Sequence, residues 1–311
     1  MTGKQADWRI GVDIGGTFTD IVLWDGAGDN LILDKILTTP DDPSRAVLEG
    51  IGRVLETAGI GAKDLASVIH GTTLVANALI ERKGVKTGLI TTAGFRDVLE
   101  IGREWRYDLF DLDIAMPTPL VPRHLRFEVG ERLGADGEIL TPLDEDAVKA
   151  AIAGLREAGV QSLAVCLLHA YLNPTHERAV AEIVRQEFPE MALSLSSNVS
   201  PELGEYERSS TTVANAYVHP IFRDYVQRLV AALAQLGYTH DLLLVLSDGR
   251  CVGADVAVRY PIRLVQSGPA AGAEAARLFG ELAEVRDVLC FDMGGTTAKA
   301  CLIPDGEPER T

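Results

Sequence analysis

The 311 residues carry 29 Lys and Arg against 45 Asp and Glu, a formal net charge of −16, and 47% of them are hydrophobic. This is the composition of a globular protein of about two domains, not of a disordered chain. So acidic a balance without a basic stripe argues against nucleic acid and anionic membranes as partners, and no 18-residue apolar run predicts a transmembrane helix.

Three apolar runs at 9–13, 18–24 and 31–37, separated by turn-rich breaks, predict an antiparallel meander. Asp42-Pro43 opens a helix whose apolar residues recur at helical spacing until Gly59 ends it. A strand at 67–70, a helix at 74–82, a strand at 86–91 and a helix at 95–101 follow. Residues 102–123 hold three prolines and little periodicity, and predict a long ordered loop. Runs at 127–133 and 138–140 flank Asp136-Gly137 and predict a hairpin. A helix at 144–158, a strand at 163–168, a helix at 175–188 and a strand at 192–196 suggest a partly parallel sheet with covering helices. A helical stretch from Pro201 to about Leu236 follows, and a strand at 242–246 is expected to start the second half. Residues 258–266 read as extended, 270–282 as a helix and 288–292 as a strand, before a turn and one more short strand.

One internal repeat stands out. Asp13-Ile14-Gly15-Gly16-Thr17 returns as Asp292-Met293-Gly294-Gly295-Thr296, each copy between two apolar strands. Paired glycines let backbone N–H groups approach an anion closely, and threonine hydroxyls add donors. An aspartate at the strand end suits Mg²⁺, which keeps part of its water shell. Two such hairpins facing each other would clamp a triphosphate, and phosphoryl transfer needs mainly positioning and charge neutralisation. No P-loop and no G-x-G-x-x-G occurs.

At these residues the sequence resembles the ATP-dependent hydantoinase A/5-oxoprolinase family of the actin–sugar kinase–Hsp70 superfamily. Further segments carry the resemblance: His70-Gly71-Thr72-Thr73, residues 88–103, Glu131-Arg132, and Ser267-Gly268-Pro269-Ala270. It implies an α/β fold with a ribonuclease-H-like (actin-like ATPase) lobe of mixed sheet over 1–200. Linking helices and an incomplete second lobe would follow over 201–311. By resemblance, ATP and Mg²⁺ are the cofactors, with Asp13 and Asp292 near the metal. Gly15, Gly16, Thr17 and Thr19 would hold one side of the phosphates. Gly294, Gly295, Thr296 and Thr297 would hold the other.

The implied activity is hydrolysis of a cyclic amide whose carbonyl oxygen is activated by phosphorylation. The alternatives are ATP-dependent carboxylation of a ketone, a sugar kinase, and an inactive ATPase-lobe fragment. Relatives usually run far past this length and work with a second subunit, here expected to be of hydantoinase B type.

Lys299 stands where the first repeat has Asp20; it could neutralise phosphate or point to solvent. His70 is assigned a catalytic role at a strand end, with a helix cap at Thr72 or Thr73 as the rival reading of that segment. Arg103 could clamp a substrate carboxylate or join a surface ion-pair network. Ser267 reads foremost as a helix cap. His169, His176, His219 and His240 show no ligand spacing and read as capping or surface residues. The four cysteines, Cys166, Cys251, Cys290 and Cys301, form no C-x-x-C pair. Neither disulfide nor metal use is expected of them, and the start lacks an apolar signal core, so the expected compartment is the cytoplasm.

Overall fold

The computed structural model describes residues 7–26, 30–39, 41–293 and 298–309. The opening meander forms as the sequence predicts: β1 (Trp8–Ile14), β2 (Phe18–Trp24) and β3 (Leu31–Leu37) pair antiparallel in order. Helix α1 (Pro43–Ala58) starts at Asp42, whose carboxylate accepts from the Ser44 N–H at 3.3 Å; Gly59 ends it in the left-handed region at φ 67°. Such caps are worth about 1 kcal/mol each, which is why both ends were legible.

The chain continues through β4 (Leu65–Thr72), α2 (Leu74–Ile80), β5 (Thr87–Thr92) and the single turn α3 (Val98–Ile101). An irregular stretch then leads to β6 (Arg126–Val129), β7 (Arg132–Leu133) and β8 (Ile139–Thr141). Next come α4 (Glu145–Glu157), β9 (Ser162–Cys166), α5 (Thr175–Glu187), β10 (Ala192–Leu195) and α6 (Ser196–Val199). Helix α7 (Glu205–Gln235) is followed by β11 (Leu242–Val245), β12 (Cys251–Gly253), α8 (Ala254–Arg259), α9 (Ser267–Leu282), β13 (Val288–Met293) and β14 (Ala298–Ile303).

Contacts group the chain into two compact units. One joins Met1–Ile80 to Phe222–Thr311, and the other is Glu81–Ile221. The grouping cuts across the 1–200 and 201–311 division read from sequence, because β11 does not start a new half. It pairs parallel to β4 and extends the first sheet, whose order is β12-β11-β4-β1-β2-β3. The switch between units falls inside α7, one residue after Pro220, the proline within that helix.

The second unit holds the sheet β10-β9-β5-β6, all parallel, over a core that includes Leu89, Ile90, Val148, Ile152, Leu163 and Val165. Two expectations fail around these elements. The run at 127–133 is not one hairpin strand: β6 joins β5 in the parallel sheet, and only β7 pairs with β8. Residues 258–266 are not extended but form the end of α8 and a 3₁₀ turn at Pro261–Leu264. Among the described residues no helix is long and apolar enough to cross a membrane.

Candidate functional site

Strands β1, β4 and β11 run parallel, so their C-terminal ends share one edge of the six-stranded sheet. This is the edge at which open α/β sheets receive ligands. The turn from β1 to β2 lies there. Gly15 N–H donates to the Phe18 carbonyl at 2.9 Å, and a Cβ on Gly15 would sit 3.2 Å from that same oxygen, so a side chain there would press on the turn's own backbone. Thr38 straps the turn from outside: its N–H donates to the Thr17 carbonyl at 2.9 Å and its hydroxyl to the Gly15 carbonyl at 3.0 Å. Gly16 and Thr17 are left exposed at the tip. Thr19 is not. It is fully buried, and its hydroxyl pairs with that of Thr38 at 3.0 Å. Alternation along β2 turns it inward, so it braces the turn instead of lining it.

Asp13, one residue before the end of β1, stands opposite Asp20 on β2 and Gly71 on β4. A Cβ on Gly71 would lie 3.1 Å from Asp13 Oδ1, and one on Gly268 would lie 4.0 Å away. Glycine at position 71 keeps the carboxylate clear of a side chain that would press on it, whereas 4.0 Å at Gly268 is ordinary contact. The Asp13 carboxyl is held above its ordinary value, first by lost solvation and then by the negative charges of Asp20 and Asp292; Lys299 and Lys35 pull it partly back. Lys35 Nζ sits 2.6 Å from Asp20 Oδ1, next to it across the β2–β3 ladder, which relieves some of the like-charge opposition. Asp292 faces Lys299 across the β13–β14 ribbon. The two copies of the repeat thus bring Asp13, Asp292 and Lys299 within one another's electrostatic reach. Gly294, Gly295, Thr296 and Thr297 lie outside the described residues.

Ser267 fastens this arrangement. Its buried hydroxyl donates to the Thr72 carbonyl at 2.8 Å and accepts from the Thr72 N–H at 3.3 Å, tying the end of β4 to the start of α9. That is a tie between elements, not the helix cap expected, since the cap position is Gln266. Thr72 Oγ1 accepts from Leu74 N–H at 3.1 Å at the start of α2, and Thr73 donates to the Ile14 carbonyl at 3.0 Å.

His70 requires a correction. It has no solvent exposure; Nε2 lies 2.7 Å from the Tyr225 hydroxyl and Nδ1 3.4 Å from the Val12 carbonyl. Burial lowers its pKa to about 4, only partly offset by the Val12 carbonyl. A neutral, enclosed imidazole with both nitrogens occupied cannot reach a substrate. The strand-end position suggested function, but alternation along β4 directs this ring into the interior.

Arg103 lies in the other unit, in the irregular loop. Its Nε donates to Glu207 Oε1 at 2.6 Å, and its guanidinium stacks 5.6 Å from the Trp105 ring centroid. Both partners of the pair are largely exposed, so solvent screens it and it contributes little to stability. Arg103→Ala is therefore expected to leave the urea unfolding midpoint nearly unchanged. A rise in KM without loss of stability would assign Arg103 to substrate; unchanged KM would leave only the ion pair.

His176, expected to be a capping or surface residue, is neither exposed nor free. It is buried beside Glu131, Nδ1 to Oε2 at 2.7 Å, and Glu131 also accepts from Thr92. Glu177, also buried, accepts from Leu167 N–H, Ser196 Oγ and Ser197 N–H. These are buried polar networks of the second unit that no sequence spacing announced.

The family pattern described as the hydantoinase/oxoprolinase N-terminal region matches residues 9–188, and that described as hydantoinase/oxoprolinase matches residues 208–311. The chain belongs to the hydantoinase/oxoprolinase family. It is 36% identical to the caprolactamase subunit alpha of Pseudomonas jessenii, over 97% of this chain and 44% of that protein. It is 32% identical to the 5-oxoprolinase of Saccharomyces cerevisiae, over 98% of this chain and 26% of that protein. The nucleotide-free structure of acetone carboxylase, from work on ATP-dependent acetone carboxylation, superposes with a TM-score of 0.87 at 28% identity. It covers 97% of this chain and 44% of that one. The chain thus spans less than half the length of the relatives it matches. The fold is the α/β, actin-like ATPase type, as the resemblance implied.

Proposed function

We propose that this chain is the phosphate-binding part of an ATP-dependent enzyme that opens a cyclic amide. The observation that carries the reading is the place of Asp13: at the end of β1 beside an open, glycine-built turn, opposite Asp20 in the β1–β2 ladder and within electrostatic reach of Asp292. Lost solvation first, and then the negative charges of Asp20 and Asp292, raise the carboxyl of Asp13, and a bound divalent cation would offset the like-charge part. Among the described residues no group of three or more metal-ligating side chains forms. Mg²⁺ is commonly held through one or two carboxylates, its own waters and substrate phosphates. Asp13 and Asp292 are the residues that would hold it, and bound Mg²⁺ would neutralise phosphate charge.

The exposed Gly16 and Thr17 would present N–H and hydroxyl donors to the phosphates, and Gly294, Gly295, Thr296 and Thr297 would do so from the second hairpin. Lys299 would add a positive charge on that side. ATP would transfer its γ-phosphoryl group to the amide oxygen and leave as ADP, making the carbonyl carbon more electrophilic. Water would add there, the C–N bond would break with the ring nitrogen leaving as the amine, and a second water would release phosphate to leave the carboxylate. The reading is tested by calorimetric titration of Mg-ATP into the chain. Saturable binding is expected; a folded chain that takes up no Mg-ATP would overturn the assignment for these residues.

Ketone carboxylation is the second reading, favoured by the fold match to acetone carboxylase. Product analysis with and without bicarbonate separates the two. Ring opening with ATP turnover independent of bicarbonate is expected; an absolute bicarbonate requirement would transfer the protein to carboxylation. Relatives named as subunits support a hetero-oligomer, and a second subunit of hydantoinase B type is the partner proposed.

A further inference from the structure

Cys290 and Cys301, distant from any cysteine motif in the sequence, face each other across the β13–β14 ribbon. Facing residues of an antiparallel ladder project to the same side, with Cα atoms about 4.5 or 5.5 Å apart. Both spacings lie inside the range of about 4.4–6.8 Å that a disulfide spans. The pair lies on the side turned toward α9, where a Cβ on Gly272 would be 3.9 Å from Cys290 Sγ. A methyl group there would stand in ordinary contact with the sulfur, so α9 packs beside Cys290 without crowding it. Both thiols are half-buried, whereas Cys166 is buried and Cys251 exposed.

We propose that Cys290 and Cys301 are a modification site, a thiol pair that a hydroperoxide converts into an intrachain disulfide and that a dithiol reductant restores. One thiolate attacks a peroxide oxygen; the O–O bond breaks, a sulfenic acid forms, and alcohol or water leaves. The facing thiol then attacks the sulfenic sulfur. The S–S bond forms, the S–O bond breaks, and water leaves. In total the two thiols give two electrons and two protons to one hydroperoxide. The bond would close the segment from 290 to 301 and fix the register in which Asp292 faces Lys299. The site stands on the ribbon geometry and does not depend on the nucleotide reading.

The test uses the full chain at neutral pH, treated with equimolar hydrogen peroxide, alkylated, and mapped by mass spectrometry without reduction. The expected result is a peptide joining Cys290 to Cys301, removed by dithiothreitol, with Cys166 still carrying the alkyl group after unfolding. In the Cys290→Ser variant the sulfenic acid on Cys301 should persist long enough for trapping by dimedone. Recovery of both thiols free or over-oxidised to sulfinic acid, or of linkages through Cys251 alone, would overturn the proposal.

Discussion

Asp13→Asn is expected to weaken Mg-ATP binding by about 100-fold while leaving the protein at least as stable as the parent at pH 7. The two halves of this result have one cause. The Asp13 carboxyl is raised above its ordinary value, first by lost solvation and then by the charges of Asp20 and Asp292. A carboxyl raised above its unfolded value gives stability that is present below that value and is lost as pH rises through the folded value. At neutral pH the charged form is therefore a cost to the free protein, and asparagine, nearly the same in shape, removes it. The same substitution removes a charge that would hold a cation against the phosphates, an effect of about 10- to 100-fold or more for metal-site groups. Calorimetric titration with Mg-ATP, paired with a thermal melt, reads both. Reduced affinity with a lowered melting temperature would point to a structural role. Unchanged affinity would remove Asp13 from the site.

His70→Ala is expected to cost about 3 kcal/mol of stability, because it opens a cavity and leaves the Tyr225 hydroxyl without its 2.7 Å partner. The pH dependence gives a sharper reading. The folded imidazole titrates near 4, against an ordinary value of 6.5. Between those values the unfolded chain binds the proton and the folded chain does not, so stability falls as pH drops from about 6.5 toward 4. The full difference is on the order of 3 kcal/mol. The urea midpoint of the parent should decline between pH 7 and pH 5, and His70→Ala should lose that part of the decline. Equal slopes in the two proteins would show that His70 is not the buried, neutral group described. A His70→Ala variant of normal stability with abolished turnover would restore the catalytic assignment.

How much was legible follows from the range of the forces involved. The meander β1–β3 and helix α1 rest on alternation, turn residues and caps within a few positions, and both formed over the residues expected. The repeat around Asp13 and Asp292 was visible because the same turn chemistry occurs twice. The errors lie where local pattern is ambiguous. Residues 258–266 carry apolar residues that suit either a strand or a short helix. The run at 127–133 contains Gly130 between β6 and β7, and each side found a different partner.

The sequence by itself determined the glycine repeat, the acidic character and the family, since residue identity and short spacing carry these. The tertiary structure decided which chemistry each side chain can perform. Pairing between β4 and β11 completes the first sheet across an intervening unit of 141 residues, Glu81–Ile221. Strand alternation buries His70 and Thr19 while leaving Gly16 and Thr17 open. The antiparallel register sets Cys290 against Cys301 and Asp292 against Lys299. None of these is a local preference. Each depends on which distant segment supplies the hydrogen-bonding partner, and that choice is made by burial summed over the whole chain.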